Sequence, residues 1–136
     1  MTSYAVDTSV AVAALDPLHV AHGACRAICA ERRPALCGHA CFETYSVLTR
    51  LPGSAVVSPQ VAGRLLAQAF PSRCWLTADD QSELYSQLAR LDIRGGMVYD
   101  ALVGAAASKA GLVLLSRDRR AGRTYDLVGT RHEFVE

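Results

Sequence analysis

Four acidic residues stand where the chain is otherwise apolar. Asp7 follows Tyr4-Ala5-Val6, and Asp118 comes shortly after Leu112-Val113-Leu114-Leu115. Glu43 sits between Ala40-Cys41-Phe42 and Tyr45-Ser46-Val47-Leu48, and Asp100 opens Ala101-Leu102-Val103-Gly104-Ala105-Ala106-Ala107. An ionised carboxylate buried without a partner costs several kcal/mol or more, so such groups shift their pKa, find a cation or bind a metal. Four of them converging would make a hard-cation site with oxygen ligands, suited to Mg²⁺ or Mn²⁺. Such a cation would acidify a bound water and offset negative charge growing on a substrate.

The elements that must position these acids follow from the pattern of apolar runs and breakers. Ser3 to Val6 reads as a buried strand, and Thr8 to Leu15 as a helix broken by Asp16-Pro17. A second helix covers His19 to Arg33 and ends at Pro34, where a strand Ala35 to Gly38 begins. His39 to Leu51 is helical up to Pro52-Gly53, and Ser58-Pro59 opens a helix through Val61 to Phe70. Cys74 to Leu76 reads as a strand. Thr77 and Asp80 form a capping box for a helix to Leu91. After Gly95-Gly96 a helix runs from Val98 to Ala110, Gly111 ends it, and Leu112 to Leu115 is a strand. Glu133 to Val135 adds an edge strand, and the Arg-rich stretch before it reads as a loop.

Strands alternating with helices predict an α/β fold, a short, mostly parallel sheet covered on both faces. In that topology Asp7 lies past the end of the first strand, and Glu43 in the first turn after the second. Asp100 begins the helix that leads to the last core strand, which delivers Asp118. All four reach the carboxyl edge of the sheet, where open α/β sheets bind ligands. The phase of its helix puts Glu43 on the stripe of Ala40, Val47 and Leu51, facing inward. The alternative is a set of buried acids neutralised by arginines such as Arg50 or Arg117, or held near helix N-termini by the dipole. The nine other acids fall on caps, polar faces, loops or the tail.

Size and composition narrow the classes. The 136 residues are 51% hydrophobic and 20% charged, as expected of one ordinary globular domain. No apolar stretch reaches the roughly 18 residues of a membrane span, and no basic leader precedes Asp7, so a cytoplasmic location is expected. Net charge is only +1, yet Arg117, Arg119, Arg120 and Arg123 crowd around Asp118. Guanidinium forks match phosphate oxygens, so this cluster is a candidate nucleic-acid-backbone contact; a solvated loop is the alternative. Cys25, Cys29, Cys37, Cys41 and Cys74 read as small buried hydrophobes. A zinc site drawn from them and His19, His22 and His39 would lack the usual tight pair and knuckle.

The motifs Val6-Asp7-Thr8-Ser9, Phe42-Glu43-Thr44, Tyr99-Asp100-Ala101-Leu102 and Leu114-Leu115-Ser116-Arg117-Asp118-Arg119-Arg120-Ala121 resemble those of PIN-domain nucleases. Within that group the likeness is to the VapC-type toxins of bacterial toxin–antitoxin pairs, and it spans essentially the whole chain, residues 1–136 forming a single PIN-like nuclease domain. The resemblance implies a three-layer α/β/α fold and a Mg²⁺- or Mn²⁺-dependent endoribonuclease leaving 5′-phosphate and 3′-hydroxyl ends. It also implies a homodimer restrained by a cognate VapB-like antitoxin. Carried over, Asp7, Asp100 and Asp118 are direct or water-bridged metal ligands, and Glu43 holds metal-bound water or helps activate the nucleophile. Thr8, Ser9 and Ser116 hold hydroxyl positions that orient water or ligand, or else serve as caps and turn formers. The rival class is a non-catalytic RNA- or partner-binding module with a structural acid cluster. A haloacid-dehalogenase-type phosphatase would need a second Asp where Ser9 stands. A receiver domain would need a lysine after a late strand, and Lys109 is inside a helix.

Overall fold

The computed structural model describes residues 1–136. Five short strands, β1 (Tyr4–Val6), β2 (Ala35–Cys37), β3 (Arg73–Cys74), β4 (Val113–Ser116) and β5 (His132–Phe134), form one sheet in the order β3-β2-β1-β4-β5. Every pairing is parallel, with Ala5 opposite Ala35 and Leu114. Val6, Leu36, Leu114 and Leu115 are buried, as expected of strands covered on both faces. Strand order runs outward in one direction from β1 through β2 to β3, and in the other through β4 to β5. The crossover direction therefore reverses between β1 and β4, and a crevice opens there at the carboxyl ends of the strands.

Seven helices connect the strands: α1 (Thr8–Leu15), α2 (His22–Arg32), α3 (His39–Leu48), α4 (Pro59–Ala69), α5 (Ala78–Gln87), α6 (Met97–Lys109) and α7 (Arg119–Leu127). Helix α1 packs on α2 and α3, while α6 packs on α5 and α7. Right-handed crossovers put these two groups on opposite faces, giving three layers. The main core joins Val10, Cys25, Leu36, Phe70, Val103, Leu115 and Tyr125. A smaller cluster of Leu84, Ile93, Ala101 and Ala105 pins α5 to α6.

The local signals act as expected at most helix starts. Ser58 Oγ accepts from Val61 N–H with Pro59 behind it, and Thr77 and Asp80 close a reciprocal capping box. Several boundaries differ from the sequence-based expectation. Helix α2 starts at His22, because Asp16 and His19 build a turn through His19 N–H to Asp16 O and Ala21 N–H to His19 Nδ1. Helix α5 stops at Gln87, where the chain turns through Asp92 at φ 56°. Glu43 lies in the second turn of α3, and Leu51 falls beyond that helix. The largest departure is α7: the stretch read as an Arg-rich loop is helical, capped by Asp118 and packed through Ala121, Thr124 and Tyr125. No helix is long and apolar enough to cross a membrane.

Candidate active site: an acidic pocket at the strand-order reversal

Asp7 directly follows β1, and its backbone N–H donates to Leu115 O of β4 at 3.2 Å, so the residue sits in the crevice itself. Its side chain caps α1, Oδ1 accepting from Val10 N–H at 3.3 Å and from Ser9 Oγ at 2.5 Å. Oδ2 accepts from the Tyr125 hydroxyl at 2.7 Å. Burial raises the Asp7 pKa above the usual carboxylate value, while the hydroxyls of Ser116, Ser9 and Tyr125 and the Val10 amide oppose that rise. A buried acid held by this many donors is fixed in position and direction.

Asp118 follows β4 on the other side of the crevice and caps α7, Oδ1 accepting from the backbone N–H groups of Arg120 and Ala121. Asp118 N–H in turn donates to Ser116 Oγ at 3.0 Å, and Arg117 N–H to Ser9 Oγ at 2.8 Å. Ser9 thus links the Asp7 carboxylate to the β4 turn. Asp100 stands in the first turn of α6. It has neither an ion pair nor a hydrogen bond through its carboxylate, and its pKa is pushed up to about 6. Burial is the first cause, followed by the negative charges of Asp118, Glu43 and Asp7, with Arg120 opposing. Glu43 reaches in from α3, half-buried, its Oε1 3.6 Å from His39 Nε2. Its pKa is raised by burial, with His39 lowering it and Asp7 raising it again.

All four acids line one pocket of about 250 Å³, together with Thr8 and Ser9. The arginine-neutralised arrangement is not what forms. Arg117 Nη1 donates to Val135 O at 3.1 Å, and neither Arg117 nor Arg50 pairs with an acid of the pocket. Arg119 lies 3.7 Å from the centroid of the Phe134 ring. Arg120 is the arginine that offsets the Asp100 charge, and Arg123 is exposed on α7.

Two observations fit this pocket to a cation. Its acids lack protein cations sufficient to neutralise them, and the buried Thr8 hydroxyl on its wall has no partner. The donor set is all oxygen, which would suit a hard divalent cation over softer metals. As placed, no three of these side chains close on a common point at ligand distance, so the acids are gathered but not clenched. A larger groove of about 500 Å³ lies at the opposite, amino edge of the strands, between Arg26, Arg33 and Phe70. No acid lines it.

Tyr125 is the member of the site that the sequence pattern did not disclose. It is buried on α7, and burial followed by the Asp7 charge drives its pKa upward, so the phenol stays a donor. The available signal was the spacing of Ala121, Thr124 and Tyr125 behind an Asp cap, which marks a narrow apolar face.

A family model described as PIN domain matches residues 4–127. Ribonuclease VapC27 of Mycobacterium tuberculosis (strain ATCC 25618 / H37Rv) is 48% identical over 125 residues, covering 92% of this chain and 91% of its own. Ribonuclease VapC40 of the same strain is 43% identical over 133 residues, covering 96% and 98%. The crystal structure of Mycobacterium tuberculosis VapC20, described as a Sarcin-Ricin loop cleaving toxin, superposes with a TM-score of 0.69 at 24% identity. That superposition covers 94% of this chain and 96% of the other, and it shows a shared fold.

Proposed function

The chain belongs to the PIN domain family, and on that premise we propose that it is a metal-dependent endoribonuclease, the toxin of a toxin–antitoxin pair. Cutting RNA would halt translation and growth. The observation that carries the reading is the gathering of Asp7, Glu43, Asp100 and Asp118 in one pocket with no arginine ion-paired to any of them. The two curated relatives named ribonucleases support it.

Asp7, Asp100 and Asp118 would hold the divalent cation, Mg²⁺ or Mn²⁺. When bound, that ion supplies neutralisation of the scissile phosphate and acidification of water. The remaining work belongs to the chain. Asp7 is held in place by Ser9, Val10 and Tyr125, so it presents a fixed charge and loses little freedom on engaging a ligand. Glu43 is only half-buried and has His39 alone as partner, which leaves it able to take a proton from the attacking water. Thr8 offers its unused hydroxyl to water or phosphate. Arg120 and Arg123 face outward on α7 beside the pocket and suit the RNA backbone, whereas Arg117 and Arg119 are committed to Val135 and Phe134.

Residues 1–136 would act as a single cytoplasmic nuclease domain, as a homodimer held in check by a VapB-like antitoxin. The exposed rings of Phe42 and Trp75, 5.7 Å apart, supply apolar surface for such contacts.

The experiment is incubation of the purified protein with total RNA, with Mg²⁺ or Mn²⁺ and with chelator, followed by sequencing of the RNA ends. The reading expects discrete cuts bearing 5′-phosphates that disappear in chelator. RNA binding without metal and without any cut would favour a non-catalytic module.

A further inference from the structure

Cys37 ends β2, Cys74 ends β3, and the two are register partners on adjacent parallel strands. Their side chains therefore leave the sheet on the same face. The strand spacing of about 4.8 Å falls inside the Cα separations that disulfides bridge. Their Sγ atoms lie 2.7 Å apart, and both thiols are free. Cys37 is buried, while Cys74 retains some exposure. A third thiol, Cys41, lies 3.8 Å from Leu36 O, on the first turn of α3. Nothing in the acidic pocket uses these sulfurs.

The pair is nevertheless joined to that pocket by the two residues that follow Cys37, Gly38 and His39. Gly38 N–H donates to Cys74 O at 2.7 Å, and Gly38 adopts φ 40°. That positive φ favours glycine, and a Cβ there would already be in van der Waals contact with Ala106 Cβ at 3.5 Å and Cys74 O at 3.6 Å. His39 follows, its Nε2 3.6 Å from Glu43 and its ring stacked on Tyr99 at 4.9 Å, next to Asp100.

We propose that Cys37 and Cys74 are a redox-modifiable pair, oxidised to a disulfide by hydroperoxides and acting on the acidic pocket through Gly38 and His39. Only the second half rests on the nuclease reading. The hydrogen bond from Cys37 lowers the Cys74 pKa, whereas that contact and burial raise that of Cys37, which makes Cys74 the first to react. The Cys74 thiolate attacks one oxygen of hydrogen peroxide; the S–O bond forms, the O–O bond breaks, and hydroxide leaves to be protonated to water. Cys37 sulfur, losing its proton, then attacks the Cys74 sulfenic sulfur; the S–S bond forms and the S–O bond breaks, releasing a second water. Two thiols and one peroxide give one disulfide and two waters, the two electrons passing from sulfur to oxygen. A dithiol reductant reverses the step.

The test treats reduced, folded protein with hydrogen peroxide, alkylates the remaining thiols under denaturing conditions and maps the peptides. The expected result is a Cys37–Cys74 linked peptide, lost in Cys74→Ser and Cys37→Ala, kept in Cys41→Ser and reversed by dithiothreitol. RNA cleavage by the oxidised wild type should fall about tenfold or more and recover on reduction, while Cys74→Ser should keep its activity in peroxide. Absence of the link in folded protein, or a link to Cys41 instead, overturns the proposal. A Cys37–Cys74 link with unchanged cleavage overturns the coupling to the pocket. If the reduced protein cuts no RNA, the nuclease reading fails, while the linked peptide still decides the chemistry of the pair.

Discussion

The Tyr125 hydroxyl donates to Asp7 Oδ2 at 2.7 Å, joining residues 118 positions apart. One directly follows the central strand and the other lies on the last helix, so the orientation of the deepest acid depends on closure of the whole chain. Tyr125→Phe keeps the ring and removes the donor, leaving a buried carboxylate oxygen unsatisfied. The expected cost is about 1–3 kcal/mol of stability. Cleavage should drop about tenfold, with its acid limb shifted to higher pH, because one group favouring the ionised Asp7 is gone. Chemical denaturation and a pH–rate profile check both.

Gly104 gives α7 the space to bring Tyr125 in. A Cβ at that position would meet Tyr125 Cδ1 at 2.9 Å, Thr130 Oγ1 at 3.0 Å and Val128 Cγ2 at 3.1 Å. Gly104→Ala should therefore destabilise by about 1–3 kcal/mol through overpacking, despite alanine's better helix propensity. It should also lower cleavage more than an alanine at exposed Gly63 does, a comparison that thermal melts and rate assays on the two variants provide.

Crowded acids make the metal-free protein less stable at neutral pH. The Asp100 pKa is raised to about 6 from 3.8, so between these values the native state holds more protons than the unfolded chain. Its contribution is fully present below pH 3.8 and is lost as pH rises through about 6, with Asp7 and Glu43 shifted in the same direction. Because Asp100 is partly solvated, the effect is about 1 kcal/mol after screening. Asp100→Asn should raise the neutral-pH Tm of the metal-free protein and flatten this dependence. Mg²⁺ or Mn²⁺ should raise the wild-type Tm at pH 7 and barely move that of the variant.

The four arginines near Asp118 should separate into two groups. Arg120→Ala is expected to weaken RNA binding and reduce the slope of log affinity against log salt by about 1. Arg117→Ala loses its bond to Val135 O and should act mainly on stability. Salt titrations of binding, run beside denaturation curves, distinguish these outcomes.

Much of this arrangement was legible in the chain because apolar runs ending in an acid have few other uses. Val6-Asp7 and Leu115-Ser116-Arg117-Asp118 read as strand ends, and Asp100 as the first turn of a buried helix, as the structure has them. Helix α7 was not legible, because its polar residues outnumber a buried face made of Ala121, Thr124 and Tyr125. The Tyr125–Asp7 bond could not be read for a different reason: it is a long-range contact, and periodicity reports only neighbours. The start of α3 at His39 was legible although Gly38 supplies no side-chain cap, and Glu43, the fifth residue of that helix, opens its second turn rather than lying in the first.

The central claim is that the pocket acids cut RNA with a divalent cation, and Asp100→Asn tests it most directly. The residue makes no structural bond through its carboxylate, so the variant should fold as wild type by circular dichroism. The account predicts that Mg²⁺- or Mn²⁺-dependent cleavage by this variant falls by about a hundredfold or more. Cleavage at the wild-type rate, or wild-type cleavage that persists in chelator, would contradict it.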